Sequence, residues 1–296
     1  MEKVNCLRYA LPFIIATAAL ASCQKEKTQS DQSVLVQNEV MTVSERIQVP
    51  EPVSSNTVST AAAKNNSDYN TFYGPVVQMG NGHARSWINI TRTDNKPLQI
   101  GIELTDGALE NLPTDPANFA AGTFVLILHQ KAKAVTPFDH ITLNWEVEGH
   151  PPAGIYTVPH FDMHFYKITV AQQMSITGVS GPVPAAGYLP ALYVIQGATV
   201  PQMGTHWLDP TSPELNPVLH PPFTHTFIYG SDNGHVHFLE PMITRQFLLD
   251  GTLSVRDIRQ PLYFSPANTY YPEVYRIWKN EVNGRHYVAL TNFAWH

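Results

Sequence analysis

From Tyr69 to Trp295 the chain is written in short runs rich in β-branched and aromatic residues, such as SWINIT, TFVLILH, HITLNWEVEG, HFYKITV, ALYVIQG, THTFIYG and HYVALTNF. Clusters of Pro, Gly and Asn separate them. Runs of that length between turn formers predict strands joined by tight connections. Their number predicts a mainly β fold, an antiparallel sandwich or barrel. Helical patterning is confined to DGALENLP and ITRQFLLDG, each ended by Pro or Gly, which predicts a few short helices.

One run carries a second message. In PHFDMHFY, residues 159–166, the residues able to ligate metal recur at every second position: His160, Asp162 and His164. Side chains alternate across a strand, so these three share one face, and Phe161, Met163 and Phe165 form an apolar face that packs inward. Spacing limits what they do together. Residues two apart on a strand lie about 7 Å apart, and His160 and His164 lie roughly 13 Å apart. Asp162 pairs easily with either histidine, whereas all three on one ion require a bend or bulge, and Pro159 favours a bend.

Two segments echo each other. YGPVVQMGNGHARSWINIT and YGSDNGHVHFLEPMIT both open on Tyr-Gly, contain Asn-Gly-His (Asn81 to His83, Asn233 to His235) and close on Ile-Thr. Asn-Gly supplies the positive φ angles of a two-residue hairpin turn, so each motif is expected at a hairpin tip. Two readings follow: two similar hairpins in one β protein, or two related β halves.

The N-terminal part is different in kind. Lys3 and Arg8 precede the apolar run YALPFIIATAALA, which ends in Leu20-Ala21-Ser22-Cys23. This is the layout of a secretory signal with a bacterial lipobox: residues 1–22 as signal peptide and Cys23 as the lipidated N-terminus. An anchor of several acyl chains gives stable attachment, so the expected location is the cell envelope, at the outer membrane or the cell surface. Residues 23–68 contain no aromatics and are rich in Ser, Thr, Asn, Gln and Lys, the composition of a tether that cannot bury enough apolar area to order itself. The folded domain is then 69–296.

Charge and cysteine content narrow the chemistry. The chain carries a formal charge of −6 and no Lys/Arg cluster in its β-rich part, which excludes nucleic acid as the expected partner. Cys6 leaves with the signal and Cys23 takes lipid, so no disulfide or thiol chemistry remains and any metal must be held by His, Asp and Glu. His206 in QMGTHWLDP follows a glycine that lets the backbone aim it. Glu240 closes GHVHFLEP after His235 and His237, and His-x-His followed by a carboxylate is one way to build part of a nitrogen/oxygen metal site. His150 borders PHFDMHFY in a turn. His83, His129, His140, His220, His225, His286 and His296 lack a supporting pattern. There is no nucleophile elbow, no phosphate loop and no dinucleotide fingerprint.

Two family resemblances rest on these residues. Gly230, His235, His237 and Glu240 loosely resemble the first metal motif of the cupins, small β-barrels, although the spacings are shorter and no second motif accompanies them. PHFDMHFY, MGTHW, FIYGSDNGHVHFLEPMIT and GHARSWINI with PLQIGIELTDGALENLP resemble a bacterial family of extracytoplasmic proteins with the Thermus TTHB-type domain, over Tyr73 to roughly Leu249. That resemblance implies a secreted β-rich domain and no particular reaction. It places polar motif positions on His160, Asp162, His164, His206 and Glu240.

Two functional classes are open on this basis. In one, these five residues hold a divalent ion (zinc, iron or manganese) with a position free for a small molecule, as in a metal-dependent enzyme. In the other, a non-enzymatic ligand-binding or envelope-stress lipoprotein uses the same residues as a structural polar cluster or a closed site.

Overall fold

The computed structural model describes residues 68–296. The signal peptide, the lipidated Cys23 and all of the tether except Asp68 lie outside the described residues. Among the latter, no helix is long and apolar enough to cross a membrane.

Fourteen strands follow in chain order: β1 (Tyr69–Tyr73), β2 (Val77–Met79), β3 (Gly82–Thr91), β4 (Pro97–Thr105), β5 (Thr123–Ile127), β6 (His140–Glu146), β7 (His160–Tyr166), β8 (Val194–Val200), β9 (Gly204–Leu208), β10 (His225–Asp232), β11 (His235–Thr244), β12 (Ser254–Asp257), β13 (Tyr270–Asn280) and β14 (Arg285–Trp295). They form two seven-stranded antiparallel sheets. The first runs β1-β3-β4-β14-β13-β12, with β2 also on β3, and the second runs β5-β6-β7-β11-β10-β9-β8.

The apolar positions of the alternating runs meet between the sheets. Ile88, Ile100, Ile102, Val288 and Leu290 of the first sheet share one core with Leu143, Phe161, Met163, Phe165 and Ile243 of the second. Each such buried side chain contributes about 1.5–3 kcal/mol of transfer free energy, which fixes the register of every strand that alternates. The molecule is a mainly β two-sheet sandwich without a closed barrel, so the barrel that the cupin likeness implied is not formed. The two stretches expected to be helical are short helices, Asp106–Leu109 as a 3-10 turn and Arg245–Asp250 as an α-helix.

The second sheet is continuous along the chain, whereas the first is assembled from segments on either side of it. The sheets therefore do not correspond to an N-terminal and a C-terminal half. Both Asn-Gly-His motifs lie at hairpins, but they turn differently. Between β10 and β11, Asp232 pairs with His235, and Asn233 and Gly234 take φ of 47° and 82°. Between β2 and β3, Met79 pairs with Gly82, and the positive φ falls on Gly80 at 54°. The first turn is thus Gly80-Asn81, one residue earlier than the Asn-Gly pattern implied.

Candidate metal centre

The outward face of β7 is not a solvated polar face. All seven of its residues are buried. Two apolar clusters flank the outward histidines, one of Tyr156, Leu208, Phe223, Ile228 and Met242, the other of Tyr166, Met203 and Phe238. They cover the sheet and leave a cavity of about 270 Å³, lined among others by Glu146, His150, Asp162, Met203, His206, Ile228 and Glu240.

Strand register brings distant residues to this cavity. On β7, Asp162 lies opposite Asn144 of β6 and Met242 of β11, and Leu239 pairs with Phe165. Glu240 therefore sits beside His164. On the far side of β11, Glu240 pairs with Ile228 of β10, and Gly230 pairs with His206 of β9. A side chain at Gly230 would block that approach, because a Cβ there would lie 1.9 Å from the Phe238 ring. Phe238 fills the gap and packs edge-on to His164 at 4.7 Å and tilted against His206 at 5.3 Å between ring centroids. His206 belongs to a strand, not a loop, and Gly204 with φ of 93° starts that strand.

The five residues singled out from sequence fall into two groups, not one. Ligand atoms of His164, His206 and Glu240 lie within 4.8 Å of one another, and so do those of His150, His160 and Asp162. In the first group, Glu240 Oε2 is 3.6 Å from His164 Nε2 and 3.7 Å from His206 Nε2. These distances are too long for hydrogen bonds, and neither His164 Nε2 nor Glu240 Oε2 has a hydrogen-bond partner. Both residues are essentially inaccessible, at 0% and 1% exposure. Metal bonds of about 2.1 Å at tetrahedral angles separate neighbouring donors by about 3.4 Å, so this spacing suits a slightly opened set around one small ion.

The electrostatics agree with that geometry. Burial pushes His164 down to about 3 and His206 down to about 4, so both imidazoles stay neutral and able to ligate. Burial, then Asp162 and Glu146, hold the Glu240 carboxyl well above the usual carboxylate range. In the second group, burial raises the Asp162 carboxyl, but His160 and His150 outweigh it and leave it lowered. Burial works against a charge on His150, yet its contacts with Asp162 raise it to about 9. A carboxylate lies between nitrogens in each group, and the described residues of each make two histidines and one acid.

The remaining histidines have other work. His237 donates from Nε2 to the Met203 carbonyl at 2.8 Å and stacks on Tyr166. That bond anchors the chain just before Gly204, which positions His206. His235 is exposed at its turn. The cupin-like pair His235 and His237 therefore lies outside both ligand groups. His140 is buried, with Nε2 2.8 Å from Gln173 Oε1.

Three residues at this face were missed or underweighted from sequence. His150 was read only as a border. Asn144 and Glu146 were not singled out, although the alternation in HITLNWE places Thr142, Asn144 and Glu146 on one face, which register shows to be the face of His164, Asp162 and His160. Burial and then Asp162 raise the Glu146 carboxyl.

Comparison with known proteins bears on the scaffold and not on these side chains. Neither the curated proteins nor the solved structures include a match to the chain. Residues 93–145, the segment from the turn before β4 through β6, match the model of the family described as TTHB210-like, hypothetical protein TTHB210.

Proposed function

We propose that the protein is a divalent-metal-binding protein of the bacterial cell envelope, anchored through lipid on Cys23, in which His164, His206 and Glu240 hold an ion facing a small-molecule cavity. One observation carries this reading: His164 Nε2 and Glu240 Oε2 converge in a buried place with no hydrogen-bond partner. Buried polar atoms left in that state cost about 1–3 kcal/mol each, more for charged groups. A cation between them offsets that cost.

The donor set is imidazole and carboxylate without thiolate, which suits zinc, iron or manganese. Structural zinc sites use four protein ligands, whereas sites that act on a ligand use three and keep a position open. The set here numbers three among the described residues, and the cavity beside it is partly apolar, with Ala198, Val200, Met203, Ile228 and Met242 in its wall. An ion held there would supply Lewis-acid polarisation of an oxygen of a bound small molecule, and Glu146 is a carboxyl at the same cavity able to take or give a proton. The lipobox ending in Cys23 supports the envelope location.

Cobalt(II) uptake by the chelator-stripped full chain, followed by its visible ligand-field absorption, tests the centre. Saturable absorption is expected for the wild type, with a strong loss of affinity in His164→Ala, His206→Ala and Glu240→Ala. His83→Ala and His286→Ala should behave as wild type. Uptake that does not saturate, or equal losses in the two controls, would refute the proposal.

A further inference from the structure

A single ion at His164, His206 and Glu240 leaves the other convergent set without a role. His160 Nδ1 lies 2.6 Å from the Val158 carbonyl oxygen, and His150 Nδ1 lies 2.7 Å from that of Pro151. A carbonyl only accepts, so each Nδ1 carries a hydrogen and donates it. Nε2 is then the nitrogen of each ring left to face a ligand. Those two nitrogens face the Asp162 carboxylate, at 3.1 Å for His160 and 3.4 Å for His150. Two imidazole nitrogens and a carboxylate oxygen that converge in this way make a donor set for a divalent cation.

His160 Nε2 and Asp162 Oδ1 are close but not aligned for a hydrogen bond, and neither has another partner. His160 is 0% exposed and Asp162 5%. The Asn144 side-chain oxygen, on the residue paired with Asp162 across β6, is likewise buried without a partner. Donors about 2.1 Å from one ion lie about 3.0 Å apart at right angles and about 3.4 Å apart at tetrahedral angles, and the two observed separations fall in that span. Imidazoles whose Nδ1–H is fixed by a backbone carbonyl are also the usual form of a metal-ligating histidine.

We propose that His150, His160 and Asp162 form a second divalent-cation site, so that one strand, β7, supplies ligands to two ions that share a cavity. Asp162 and Glu240 make the link. Met242 pairs with Asp162, and Glu240 is two residues along β11 on the same face, a diagonal placement of roughly 7–8 Å between Cα atoms. His150, Asp162, His206 and Glu240 all line the one cavity. The second site shares that cavity with the centre proposed above, but its ligands are separate and its test is independent.

Zinc and manganese binding to the chelator-stripped full chain, by equilibrium dialysis with counted stoichiometry, decides the matter. The wild type should take up two equivalents. His150→Ala is the informative variant, because its side chain is 30% exposed and its removal leaves the sandwich core untouched. It should retain one equivalent, as should Glu240→Gln, and the double variant should retain none. A wild type with one equivalent that Glu240→Gln removes and His150→Ala spares would overturn the second site and leave the first standing. A wild type with a single equivalent that both variants abolish would mean one shared site, and two equivalents retained in His150→Ala would mean the ions sit elsewhere. Both results overturn the proposal. No uptake at all would overturn both sites and leave Asp162 as the centre of a salt-bridged triad.

Discussion

Replacing Glu240 by Gln separates two quantities that usually move together, the stability of the ion-free protein and its response to metal. Glu240 is 1% exposed, its Oε2 lacks a hydrogen-bond partner, and the nearest imidazole nitrogens are 3.6 and 3.7 Å away. Burial and the neighbouring acids hold its carboxyl far above the ordinary range. In the ion-free protein the group is therefore close to a neutral acid, for which an amide is nearly isosteric. Ion-free Glu240→Gln should differ from wild type by no more than about 1 kcal/mol, and toward greater stability if it differs. The metal response should differ greatly. An ion supplied at a hundred times its dissociation constant stabilises the wild type by about 2.7 kcal/mol at one site. For a domain of this size each kcal/mol is worth about 2–4 °C, so that site accounts for a rise of about 5–11 °C. The amide removes the charged ligand, and the zinc-induced shift should shrink by that amount. Differential scanning calorimetry with and without zinc, against a chelator control, reads both quantities. If the ion-free variant loses several kcal/mol, Glu240 is a paired structural charge and the reasoning fails. It fails equally if zinc shifts variant and wild type alike.

Gly230→Ala should destabilise the fold by about 1–3 kcal/mol or more, because the new methyl meets the Phe238 ring and overpacks it. It should also weaken metal binding, since Phe238 packs on His164 and His206; an unchanged denaturant midpoint would contradict this. His225 offers a pH test away from the ligands. It sits between the Tyr275 hydroxyl and Ser254 Oγ at 2.9 and 3.0 Å, and burial, then Arg256, lowers it to about 4. The unfolded chain binds the extra proton between about pH 6.5 and 4 while the folded one does not, so stability falls as pH drops through that window. Denaturant midpoints across it should give a slope shallower in His225→Gln than in wild type, by on the order of 1–3 kcal/mol over the window; equal slopes would show that His225 is not held neutral. Cys23→Ser should move the protein from the membrane to the soluble fraction, read by fractionation; retention at the membrane would rule out the lipid anchor.

The division of β7 was legible in the sequence because strand alternation depends on local backbone geometry alone. Phe161, Met163 and Phe165 do enter the core between the sheets. The spacing rule was equally informative, since ends roughly 13 Å apart cannot reach one small ion without a bend. His160 and His164 accordingly belong to different groups. What alternation could not supply was the partner of each. His206 reaches Glu240 only because β10 lies between β9 and β11, with Gly230 leaving room for the Phe238 ring. That pairing is set by which strands bury their apolar faces together, a property of the whole sheet.

His150 was the harder case, because it lies on a connection where no periodicity operates. The chain turns back after β6, with His150 N–H bonded to the Tyr156 carbonyl and the Tyr156 side chain buried beside Phe223. Burial of that tyrosine, with Gly149 at a φ of 70° against the Tyr156 carbonyl, carries the His150 ring to 4.8 Å from His160. The covering loops also set the environment of the histidine-rich strand face. Tyr156, Met203 and Phe223 pack over it and leave His160, His164 and Glu240 essentially inaccessible, with His160 Nε2, His164 Nε2 and Glu240 Oε2 unpartnered. Exposed to water, the same histidines and acids would be satisfied by solvent and would bind an ion weakly. Under an apolar cover their desolvation has already been incurred in folding, and an arriving cation relieves it. Metal binding of the kind proposed would thus originate as much in the aromatic residues of the loops as in the candidate ligands of the strand.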